Sequence, residues 1–111
     1  MSYNFMSNIS NFSSVTDPDK SFIQVNKDAE IEFFDRDLIK HKASFLMIRA
    51  EYNTDFLIEL SPSNYCIYIP AGEMWSVDSI GEIEKFTIKK IFNTSGQEQA
   101  SGKIQWMIGY K

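Results

Sequence analysis

A chain of 111 residues with a net charge of -4 makes one domain with a modest core, since small domains bury a smaller share of their surface. The acidic balance argues against a phosphate-tracking nucleic-acid binder, whose mark is a basic patch. No run of about 18 apolar residues could span a membrane as a helix, and a lone cysteine, Cys66, excludes an intrachain disulfide.

Residues 1–19 are rich in Ser and Asn but carry scattered apolar side chains: Tyr3, Phe5, Met6, Ile9, Phe12 and Val15. They follow no helical or strand period, and they lack the basic region and apolar core of a signal peptide. A flexible tail normally holds fewer apolar residues. The segment reads as an extended arm, with Tyr3, Phe5, Met6, Ile9 and Phe12 expected to insert into a neighbouring subunit or host surface. The domain proper is expected over residues 20–111, and the chain is expected to be made in a reducing cytoplasm.

From Lys20 onwards, alternation dominates. "SFIQV" and "AEIEFF" flank the polar Asn26-Lys27-Asp28. Asp35-Arg36-Asp37 reads as a turn before "LIKHKASFLMIRAEY". There Leu46, Ile48 and Ala50 share one strand face while Phe45 and Met47 share the other, so a central strand covered on both sides is expected. "DFLIEL" follows a short polar connection. "YCIYI" and "MWSV" then flank Pro70-Ala71-Gly72-Glu73: proline suits a strand end because it cannot donate to a ladder, and Gly72 supplies a permissive turn position. After a break at Ser79-Ile80-Gly81, "EIEKFTIKKIF" alternates, and "GKIQWMIGY" closes the chain with Ile104, Trp106 and Ile108 on one face. Nine Phe, five Tyr and two Trp suit half-buried pleated surfaces. Seven to eight strands with turn signals at this spacing predict an all-β fold: a single antiparallel β-sandwich, jelly-roll or Ig-like, with an extended N-terminal arm. Lys85, Lys89, Lys90 and Lys103 are expected to guard a sheet edge.

Candidate chemistry is sparse. Cys66, within an apolar run, reads as a buried structural thiol. His41 lies between Lys40 and Lys42 with no nucleophile or acid at a recognisable spacing, and reads as solvated. One Cys and one His do not make a zinc site. Asp17, Asp19, Asp28, Asp35 and Asp37 lack the loop pattern of a calcium site. Glu82 and Glu84 share a strand face, with no second group placed across a cleft as glycosidase chemistry requires. No enzyme and no cofactor are expected.

"IPAGEMWSVDSIGEIEKFTIKKI" followed by "GKIQWMIGYK" resembles the small all-β virion proteins of tailed bacteriophages, of the head-decoration, head-fibre or tail-accessory type. The similarity covers roughly residues 43–111, and the Asn, Ile, Lys and Ser bias suits an AT-rich genome. It implies a structural role in the virion, with the domain docked on capsid, neck or tail as a homo-oligomer or hetero-complex, an amino-terminal arm as anchor, and no catalytic residues. The alternative is a carbohydrate-binding module of a host-recognition apparatus. Its stacking platform would come from Trp75, Trp106, Tyr65 or Tyr68, although Trp106 shares its strand face with Ile104 and Ile108 and is expected to face the core.

Overall fold

The computed structural model describes residues 3–7 and 22–111, without the side chains of residues 79–81. The described residues hold ten strands and no helix. These are β1 (Asn4–Ser7), β2 (Ile23–Asn26), β3 (Glu30–Phe34), β4 (Lys40–His41) and β5 (Ala43–Ala50), then β6 (Thr54–Ser61), β7 (Tyr65–Ile69), β8 (Met74–Ile83), β9 (Lys85–Asn93) and β10 (Ser101–Tyr110). Each alternating run is a strand. The short β1 and the two-residue β4 come in addition, so the count exceeds the seven to eight expected.

Two antiparallel sheets share one core. One runs β8–β5–β10, with β1 and β2 both on the far side of β10; the other runs β4–β3–β9–β6–β7. The ladders nest, with β2 on β10, β3 on β9, β5 on β8 and β6 on β7. Two cross-ladders, β10 on β5 and β9 on β6, tie the nested pairs into sheets. Alternation then sends Leu46, Ile48 and Ala50 of β5, Phe56, Ile58 and Leu60 of β6, and Ile104, Trp106 and Ile108 of β10 into the common interior. Trp106, 7% exposed, meets Phe33 and Phe86 of the opposite sheet at centroid distances of 5.4 and 6.5 Å. At Gly102 the opposite sheet packs directly over the backbone. A Cβ there would lie 2.8 Å from the Phe56 ring and 2.9 Å from Thr54, so no larger residue fits without movement.

Two irregularities explain where alternation fails. Ile88 and Ile91 are three apart yet both buried, because Leu57 pairs with Lys90 and Ile58 with Ile88, leaving Lys89 as an extra, bulged residue. On β8, Ala43 pairs with Ile83 while Phe45 pairs with Asp78, so residues 79–82 bulge where a break was expected and the strand continues to Ile83. β9 begins at Lys85 in the other sheet, so the chain changes sheets at Glu84.

The lysines expected at an edge are not at one. β9 lies between β3 and β6, and β10 between β5 and the β1/β2 side, so Lys85, Lys89, Lys90 and Lys103 stand on central strands. Lys85 pairs with Glu30 at 3.0 Å and Lys90 with Glu98 at 3.6 Å. Outward positions of a central strand accept charge as readily as an edge does, so lysine content alone does not distinguish the two.

The described part of the arm lies on the chain's own sheet. Asn4–Ser7 pair with Tyr110–Met107, and β2 continues the same side of β10 from Ile104 to Ser101. Met6 packs against the core, while Tyr3 crosses Gly109, whose missing Cβ would meet the Tyr3 ring at 3.0 Å. Tyr3 then donates a hydrogen bond to Asp78 Oδ1 at 2.6 Å. Phe5 sits edge-on to Tyr3 and to Phe45, at 6.2 and 6.3 Å. Ile9 and Phe12 lie outside the described residues, as do Asp17 and Asp19.

Candidate functional site

The β3–β4 hairpin carries the most unusual local chemistry. Its turn is built on Asp35: Oδ1 accepts from the backbone N–H of Asp37 at 2.8 Å and of Ile39 at 3.0 Å, while Oδ2 lies 2.7 Å from His41 Nε2. Backbone bonds from Asp35 N to Ile39 O and from Leu38 N to Asp35 O, both 3.0 Å, close the loop. The histidine bond first, and the two backbone N–H groups with it, hold the Asp35 carboxyl below its ordinary value, against the opposing effect of burial. The imidazole stacks on Tyr110 at 3.9 Å, fastening the hairpin to the end of β10. His41 is thus half-buried and paired rather than solvated; the turn folds Asp35 back onto it across six residues.

This closed turn forces Leu38 into the left-handed region, φ 63°, and leaves it 80% exposed. Phe34 and Ile39 are exposed beside it. Phe34 also lines a shallow groove with Ile23 and Ile31. Sequence reading took Asp-Arg-Asp as a turn but missed this apolar tip. The available signal was a leucine and an isoleucine directly after a turn, where polar residues are usual.

The aromatic candidates do not form one platform. Tyr65 and Tyr68 are both exposed on edge strand β7, but residues three apart on a strand point to opposite faces. Trp75 is half-buried against the core, and Trp106 lies within it. The Tyr68 hydroxyl donates to Asp55 Oδ2 at 2.5 Å, which raises its pKa. Asp55 Oδ1 accepts from Ala71 N at 2.7 Å, so one carboxylate braces both β7 and the Pro70 turn. That turn is closed by Glu73 N donating to Pro70 O at 3.0 Å, with Gly72 at φ 76°, as the Pro-x-Gly pattern predicts. Cys66 is exposed, not buried: Ile67 and Ile69 take the inward positions of β7, which leaves the thiol outside.

Glu82 and Glu84 clamp Lys42 at 3.6 and 3.7 Å rather than facing across a cleft. Among the described residues, no group of three or more His, Cys, Asp or Glu side chains could hold a metal ion. No family model, curated protein or solved structure matches this chain.

Proposed function

We propose that the chain is a non-enzymatic structural component of a bacteriophage virion, docking on capsid, neck or tail through the tip of its β3–β4 hairpin. The observation that carries the docking role is Leu38. A left-handed backbone is costly for leucine and easy for glycine or asparagine, and a leucine left 80% exposed buries little surface in its own fold. Strain and exposed apolar surface at one position mark a contact site.

The nested ladders support a jelly-roll reading, a two-sheet architecture shared by viral capsid and lectin domains. In an immunoglobulin-like sandwich the first and last strands belong to different sheets; here β2 and β10 are neighbours in one. The virion context rests on the strand and turn pattern of residues 43–111, read from the sequence as resembling small phage virion proteins. In the assembled state, a homo-oligomer or a hetero-complex with other virion proteins follows from this reading.

The test is location. Mass spectrometry of purified particles should detect the chain, and imaging should place the hairpin tip against a neighbour. Leu38→Asp combined with Ile39→Asp should lower incorporation about tenfold, equivalent to roughly 1.4 kcal/mol of lost contact, without lowering the melting temperature. Absence of the chain from particles would overturn the virion role, and undiminished incorporation of the double variant would overturn the docking site.

A further inference from the structure

A cleft of about 660 Å³ opens where β5 runs into the turn at Glu51–Asn53, beside the Pro70–Glu73 turn. Its size falls within the range of small-molecule sites, roughly 300 to 1,000 Å³. Backbone bonds hold its walls together: Gly72 N to Glu51 O at 2.8 Å, Ala50 N to Glu73 O at 3.0 Å, and Glu51 N to Lys103 O at 3.2 Å. Asp55 braces the Pro70 turn from behind through Ala71 N. Three segments distant in sequence therefore meet in a preformed pocket, which reduces the ordering cost of binding.

The lining points to a particular ligand chemistry. Arg49 and Lys103 supply cationic donors, Glu51 and Glu73 supply anionic acceptors, and their formal charges cancel. Such a mixture selects neither an anion nor a cation. It matches a neutral molecule that is donor and acceptor at once, as neighbouring sugar hydroxyls are. Tyr52, also on the lining, is 77% exposed and offers a ring face against which the apolar C–H face of a sugar could stack. Glu51, on the lining, also has one carboxylate oxygen, Oε2, that is buried with no hydrogen-bond partner among the described residues.

We propose that this cleft binds a neutral saccharide, with Tyr52 as the stacking ring and Arg49, Glu51 and Glu73 bonding its hydroxyls. The site is distinct from the aromatic candidates on β7 and β8 and does not depend on docking by the hairpin. The test titrates the full chain, followed by amide NMR, with galactose, glucose, N-acetylglucosamine and rhamnose, and with sialyllactose as an anionic comparison. At least one neutral sugar should give saturable shifts centred on residues 49–53, 72–74 and 103, with a Kd in the range of about 1 mM. Tyr52→Ala should weaken that binding about tenfold while Tyr52→Phe preserves it, since the ring and not the hydroxyl stacks. The proposal is overturned if no neutral sugar shifts these amides up to about 50 mM. Binding of sialyllactose alone, or unchanged affinity in Tyr52→Ala, would overturn it equally.

Discussion

Asp35 and His41 meet inside a single hairpin, carboxylate Oδ2 2.7 Å from imidazole Nε2, with the imidazole stacked on Tyr110. This pair ties the hairpin that carries the exposed apolar tip to the last strand of the opposite sheet. The folded-state pKa of Asp35 lies below its ordinary value of 3.8. As pH falls through this range, the unfolded chain binds the proton first, so stability rises with pH there. The contribution is fully present above 3.8 and is lost as pH drops through the lowered folded value. Asp35→Asn should therefore lower the melting temperature at neutral pH, and the gap to wild type should close on acidification below 3.8. A gap independent of pH would mean that the charge of Asp35 plays no part.

Trp106 fills the space between the sheets against Phe33 and Phe86. Trp106→Ala should cost about 3 to 5 kcal/mol in a denaturant melt, the range for removing a large buried ring. A near-neutral result would place its stabilising contacts elsewhere.

The core was largely readable because alternation reports which face of a strand is buried, and Leu46, Ile48, Ile104 and Ile108 obey it without exception. It failed at Ile91, where the bulged Lys89 shifts the phase by one residue, and periodicity carries no warning of an extra residue. It also failed at Cys66, because an apolar run does not state which of its members faces inward. The hairpin tip and the cleft were beyond reach for a different reason. Asp35 finding His41, or Arg49 standing near Glu73, depends on turn geometry and on strand order, and neither is written in the pattern of apolar residues.

Leu38 offers a way to separate stability from contact. Leu38→Gly removes the left-handed strain, which is worth on the order of 1 kcal/mol, partly offset by the greater freedom of glycine in the unfolded chain. The melting temperature should stay level or rise slightly, while incorporation into particles falls. A stabilised variant that incorporates poorly would be difficult to explain by any folding defect. A clear loss of stability would show instead that the leucine side chain packs within its own domain.

The described arm residues bear on how the domain treats its own edge. Asn4–Ser7 cover the outer side of β10 from Met107 to Tyr110, and Met6 adds apolar contact with the core. Removing residues 2–7 would strip those backbone partners, leave the cleared space over Gly109 without Tyr3, and break the Tyr3–Asp78 bond. A fully buried side chain of Met6's size is worth about 1.5 to 3 kcal/mol, and Met6 is half-buried, so a loss of about 1 to 2 kcal/mol is expected from the truncation. The uncovered edge should also pair with other chains, because free strand edges recruit further strands. A denaturant melt measures the first effect, and light scattering against concentration measures the second. An unchanged melt combined with lost incorporation would mean that Tyr3, Phe5 and Met6 do their binding on a neighbour. A lowered melt with association would mean that β1 belongs to the domain and protects it.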